Sequence, residues 1–139
     1  MQDIIKSLEN ESLYRRNIQL LLFAFILAGC STIQSGAGGD RIGFTESGQA
    51  SYYSDRHQNN KTASGDIYQH NQKTAAHKTL PFGSNVKVTN TNNGKSVIVK
   101  INDRGPFVKG RIIDLSKSAF SSIGNISSGL IDVNIEVVR

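Results

Sequence analysis

The chain has 139 residues, 37% hydrophobic and 19% charged, with no tryptophan and a single cysteine. That length holds one domain, and one cysteine excludes an intrachain disulfide and a cysteine-based metal site. The formal net charge is +5, and acids and bases cancel over residues 1–29, so the excess lies beyond them. An anionic partner is favoured, a lipid surface or a cell-wall polymer, while the lack of a dense Lys/Arg cluster argues against nucleic acid.

Near the start, Arg15-Arg16 precedes a run of about ten mostly apolar residues, Ile18 to Leu27, and then Ala28-Gly29-Cys30. A basic patch, a short apolar core and a small-residue site predict a secretory signal over 1–29, too short for a membrane span. Leu27-Ala-Gly-Cys30 resembles the bacterial lipobox, which implies a mature chain beginning at an acylated Cys30. Several acyl chains anchor stably where one does not. Ser31 in place of aspartate implies the outer membrane, facing the periplasm. Residues 30–47, rich in Ser, Gly and Thr around Gly36-Ala-Gly-Gly39, read as a flexible tether.

Residues 48–139 read as the body. Gly48–Ser54 predicts a strand, Asp55–Lys61 a polar loop, and Thr62-Ala-Ser-Gly65 a turn into Asp66-Ile-Tyr68. Lys73–His77 fits a helical turn or a short strand, and Pro81 breaks the loop Thr79–Gly83. Asn85–Asn90 alternates cleanly, and Asn92-Asn-Gly94 signals a hairpin into Ser96–Asn102. Arg111–Leu115 is a short strand. Ser116 caps a helix Lys117–Ile123 ended by Gly124, and Leu130–Val138 is a last strand with Ile131, Val133, Ile135 and Val137 inward. Many short strands with one or two short helices predict a mainly β, closed barrel, since closure removes apolar edges.

Lys100-Ile-Asn-Asp-Arg-Gly-Pro-Phe107 stands out chemically. Val97, Val99 and Ile101 alternate with Ser96, Ile98 and Lys100, and Gly105-Pro106 then ends the strand. A carboxylate at the mouth of a strand suits acid–base work, although Asp103 taken alone equally reads as a turn residue closing on its own backbone. His57, His70 and His77 lack ligand-like spacing, so no metal or other cofactor is expected.

Gly48-x-Ala-Ser-x-Tyr53, Thr62-Ala-x-Gly65, Thr74-Ala-Ala-His-Lys-Thr-Leu-Pro-Phe-Gly83, Val88-Thr-Asn90, Ile101-Asn-Asp-Arg-Gly-Pro-Phe107 and Gly110-Arg-Ile-Ile-Asp-Leu-Ser116 closely resemble the rare lipoprotein A (RlpA) family across 48–139. The resemblance implies a six-stranded double-psi β-barrel, shared with expansins and family 45 endoglucanases. It also implies an endolytic lytic transglycosylase acting on peptidoglycan strands stripped of stem peptides. Asp103 falls on the family's catalytic aspartate, His77 on its motif histidine, and Asp66 where a glutamate is usual. Tyr52 stands where tryptophan is common. Tyr53, Arg104 and Thr62 are the candidate substrate contacts, and Asp114 reads as a structural acid.

A lytic transglycosylase needs one carboxyl group that first protonates the leaving oxygen and later takes a proton from the muramic acid C6 hydroxyl. Asp103 is the candidate for both steps. Apolar surroundings, or repulsion from Asp66, would favour its starting protonated form. The competing expectation is an expansin-like wall-binding lipoprotein that grips glycan without cutting it. The chain is expected to act as a monomer.

Overall fold

The structure, a computed structural model, describes residues 41–139; the signal, Cys30 and most of the tether lie outside the described residues. Six strands close into a barrel: β1 (Thr45–Tyr52), β2 (Thr74–His77), β3 (Asn85–Asn90), β4 (Ser96–Asp103), β5 (Arg111–Leu115) and β6 (Ile131–Val138), in the spatial order β1-β5-β2-β4-β3-β6. The β1/β5 and β2/β4 pairs are parallel and the other four antiparallel. Each parallel pair carries a register shift, at Gln49/Ala50 and at Ala75/Ala76. β1 starts three residues ahead of the Gly48 boundary expected from sequence, because Thr45, Glu46 and Ser47 pair with β6.

Alternation decides what fills the barrel. Ile131, Val133, Ile135 and Val137 of β6 point inward between exposed polar residues. They meet Val86 and Val88 of β3, Val99 and Ile101 of β4, and Ile113 and Leu115 of β5. Lys73–His77 resolves as strand β2 at Thr74, its four residues all buried between two neighbours. The Asn-Gly hairpin forms around a loop Thr91–Gly94, with Gly94 at φ +71° and Gly94 N–H donating to Asn90 O at 2.9 Å. Asn93 stays at negative φ, so the connection is not a two-residue primed turn.

The single α-helix of the described residues, α1 (Lys117–Ile123), covers the barrel with Ala119, Phe120 and Ile123. Ser116 Oγ accepts from Ala119 N–H at 3.2 Å, the expected N-cap. Gly124 ends the helix for a different reason from the one its sequence position implies. Its φ is −149°, an extended value. A Cβ there would sit 3.2 Å from Ile131 Cγ2, so close packing is what selects glycine. The free carbonyl of Ile123 is taken by Asn90 Nδ2 at 2.8 Å and Asn93 Nδ2 at 2.9 Å, which ties the hairpin to the helix end.

Gly48 is equally constrained. A Cβ at this position would lie 2.6 Å from Ile112 Cγ2 and 3.2 Å from Gly110 O. Gly48→Ala should therefore push β1 off β5 and cost about 1–3 kcal/mol, read as a fall in the midpoint of urea unfolding with the slope unchanged.

Candidate active site

Asp103 closes β4 and is held from three directions. Its Oδ1 accepts from Ala63 N–H at 2.8 Å and from Arg104 N–H at 2.9 Å. Its Oδ2 accepts from Tyr53 O–H at 2.7 Å. The donors come from three segments, and each is positioned independently. Ala63 belongs to a turn fixed by Thr62 N–H to Asp66 O at 2.8 Å and docked on β4 by Ser64 N–H to Asn102 O at 3.1 Å. Gly65 supplies the positive φ, +95°, that this turn needs. Tyr53 follows β1, its N–H on Leu115 O at 3.1 Å, and its ring packs on Tyr68 with centroids 4.5 Å apart. Burial and the adjacent Asp103 push the Tyr53 hydroxyl far above its ordinary range, so it stays a proton donor.

Arg104 makes no ion pair with Asp103 among the described residues. Its guanidinium stacks on Phe82, 3.8 Å from the ring centroid, and Nη1 donates to His77 O at 3.3 Å and Asp103 O at 3.4 Å. Arg104 lies just beyond the end of β4, and these contacts hold its guanidinium on Phe82. Thr62 is buried, with Oγ1 donating to Asp66 O at 3.1 Å, so it shapes the turn. Asp66 is exposed, and its Oδ2 accepts from Asn102 Nδ2 at 3.3 Å; its contact is with Asn102 and not with the Asp103 carboxylate.

The structure does not bring the His77 ring to the acid. In the sheet, Ala76 pairs with Asp103 on one side and Asp114 on the other. The next residue along β2 must face away, and His77 pairs with buried Ile113. Its Nδ1 accepts from Thr79 N–H at 3.2 Å and Leu80 N–H at 3.1 Å, so Nε2 carries the hydrogen and donates to Glu46 Oε2 at 3.0 Å. Burial lowers its pKa below the ordinary histidine range, with Arg104 and Lys78 adding to the effect and Glu46 opposing it. The imidazole is a neutral pin for the turn that presents Phe82.

Sequence reasoning passed over several of these partners. Glu46, Tyr68 and the Ala63 N–H are far from Asp103 or His77 along the chain, and only the closed topology makes them neighbours. Asp114 does brace the barrel, accepting from Ser51 Oγ at 2.6 Å and from Arg111 Nη2 at 2.6 Å. The register also aligns Ser51, Asp114, Ala76 and Asp103 in one row across four strands. Among the described residues no His, Cys, Asp and Glu cluster could hold a metal ion.

A mainly β closed barrel with one short helix and a strand-end carboxylate is thus the class that fold and site define. A family model described as "Lytic transglycolase" matches residues 45–135, and the chain belongs to that family of double-psi β-barrels. It is 56% identical over 96 residues to the endolytic peptidoglycan transglycosylase RlpA of Vibrio cholerae, covering 69% of this chain and 36% of that protein. The chain spans between 33% and 40% of the length of its curated relatives from Vibrio cholerae, Pasteurella multocida and Neisseria meningitidis. Among solved structures, the Streptomyces papain inhibitor superposes with a TM-score of 0.59 at 26% identity, covering 71% of this chain and 98% of that one. The expansin of Clavibacter michiganensis does so with 0.56 at 23% identity, covering 69% and 51%, a likeness of fold.

His77→Gln should lose the paired acceptor for Thr79 and Leu80 and destabilise by about 1–3 kcal/mol at neutral pH. The pH dependence has a definite sign. With its folded pKa depressed, the neutral ring contributes stability fully above the unfolded value of about 6.5, and that contribution is lost as pH falls below it. The gap in thermal midpoint between wild type and His77→Gln should therefore narrow from pH 7.5 to pH 5; a constant gap would mean that the ring's protonation is not coupled to folding.

Proposed function

We propose that this chain is an endolytic lytic transglycosylase that cleaves the β-1,4 bond between N-acetylmuramic acid and N-acetylglucosamine and leaves 1,6-anhydro ends, acting on strands without stem peptides. The observation that carries this reading is the Asp103 carboxylate in a member of the lytic transglycolase family: half-buried at the mouth of β4, held by three neutral donors and bearing no ion pair among the described residues. Relatives at this similarity are named endolytic peptidoglycan transglycosylases.

The hydrogen bonds assign the oxygens. Oδ1 has both its acceptor directions filled by backbone N–H groups, so the transferable proton rides on Oδ2. Oδ2 gives it to the glycosidic oxygen as positive charge develops at the anomeric carbon. The muramic acid C6 hydroxyl then attacks that carbon, and Oδ2 takes the hydroxyl proton. Tyr53 O–H holds Oδ2 in place in both steps and supports its negative charge between them. Asp66 orients sugar hydroxyls from the turn. His77 acts through the Phe82 turn and its carbonyl on Arg104, a positioning residue. No metal or cofactor enters.

The chain's address belongs to the same proposal. An acylated Cys30 in the outer membrane, with the Ser/Gly/Thr-rich tether after it as a leash, would hold a monomeric barrel within the wall. A second reading, a wall-gripping module that does not cut, draws on the exposed Asp66, whose carboxylate engages Asn102 rather than the acid.

Peptide-free glycan strands incubated with wild type should yield 1,6-anhydro termini by mass spectrometry. Asp103→Asn should lower the rate by at least about 100-fold with the fold intact. Strand binding without anhydro ends in wild type would favour the gripping module. Tyr53→Phe keeps the ring but removes the donor to Oδ2, and should cost about 10- to 100-fold in kcat, since a hydrogen bond to a charged group contributes about 1.5–3 kcal/mol.

A further inference from the structure

The row of Asp103, Ala76, Asp114 and Ser51 does not end at the acid. At its far side lies a groove of about 660 Å³, lined by Ser51, Tyr52, Val108, Arg111, Lys117 and Leu130 among others. It lies three strand spacings from Asp103, roughly 14 Å, on the same face of the sheet. Ser51 and Ala76 are small and buried, and between them in the row stands Asp114 with the Arg111 guanidinium on it.

Arg111 is the polar centre of this groove. Its Nε donates to Asp114 Oδ1 at 3.1 Å, and its Nη2 to both carboxylate oxygens at 2.6 Å. Two of the three guanidinium nitrogens are spent on fixing the plane. Nη1 has no hydrogen-bond partner among the described residues, and planarity directs it away from Asp114. The other cation, Lys117, donates to Asp55 Oδ1 at 2.6 Å on a side chain 76% exposed. Apolar surface flanks the guanidinium: Val108 is 52% exposed and Leu130 43%. A rigidly held N–H pair beside small apolar surfaces fits a ligand with a carboxylate next to a methyl group. On a peptidoglycan strand that group is the lactyl ether of muramic acid.

The geometry points to a second glycan subsite, in which Arg111 Nη1 binds the free lactyl carboxylate of a muramoyl residue remote from the bond being cut. The inference rests on the substrate reading above and gives it a discriminating residue. When a stem peptide is attached, that carboxylate is an amide, with no charge for the guanidinium and with a peptide chain that must leave the groove. Strands without peptides are then preferred at binding, before any chemistry.

Binding separates this from catalysis. The Asp103→Asn protein would be titrated with peptide-free strands and with the same strands after conversion of the lactyl carboxylates to methylamides. The free-carboxylate strands should bind at least tenfold more tightly, with the advantage shrinking as salt rises. Adding Arg111→Gln with Asp114→Asn, which removes the ion pair as a unit, should bring the ratio near one. Should that variant not fold, Leu130→Glu on the exposed wall should weaken binding of the carboxylate strands more than of the methylamides. Equal binding of both strands by Asp103→Asn, or a ratio unchanged in the folded Arg111/Asp114 variant or in Leu130→Glu, would overturn the subsite. Absence of anhydro ends from wild type with the binding ratio intact would instead sink the cutting reaction alone.

Discussion

The position of β2 governs this molecule. This four-residue strand runs parallel to β4 and antiparallel to β5, so both of its edges are paired. Because strand side chains alternate, that single placement sorts the chemistry to two sides of the sheet. Ala76 becomes the floor between Asp103 and Asp114, while His77 turns inward to Glu46 and the backbone of Thr79 and Leu80. The shift in register at Ala75/Ala76 brings Asp103, rather than Asn102, opposite Ala76. A bulge at such a point re-aims a side chain without altering the barrel around it.

Local pattern made the strands legible. Period-2 alternation located β3, β4 and β6, and the Ser116 and Gly124 punctuation bracketed α1. β2 stayed open between helix and strand because a strand buried on both faces has no alternation to read. Asp103 was legible as a carboxylate at a strand end. Of its three donors, the adjacent Arg104 N–H is the backbone closure a turn aspartate makes, while the other two were not legible, since Tyr53 is 50 residues away in sequence and Ala63 is 40. His77 shows the limit most clearly. Its neighbours Thr79 and Leu80 are close in sequence, but the direction of its ring depends on strand pairing, which no local signal carries.

The placement of Arg104 suits the proposed reaction, in which Asp103 gives a proton first. An ion pair between Arg104 and Asp103 would favour the unprotonated carboxylate. Here the guanidinium is engaged by the face of Phe82 and two carbonyl oxygens. Phe82 is presented by the turn that His77 pins. The histidine thus serves the acid at one remove: it keeps the cation elsewhere.

The carboxylates differ in what remains available to them, and this bears on hydrolysis against transglycosylation. Asp114 is committed through both oxygens to Arg111 and through one to Ser51, which leaves a poor base for activating water. Asp66 is exposed and bound by Asn102, outside the set of donors that holds Asp103. Of Asp66, Asp103 and Asp114, Asp103 alone is partly buried with neither an arginine nor an asparagine on its carboxylate. A hydrolase would require a second carboxylate poised over water, whereas an intramolecular hydroxyl brings its own nucleophile to the anomeric carbon and asks the protein for one acid that can also act as base. In the proposed reaction the barrel would have to supply one such group, and the sugar the rest.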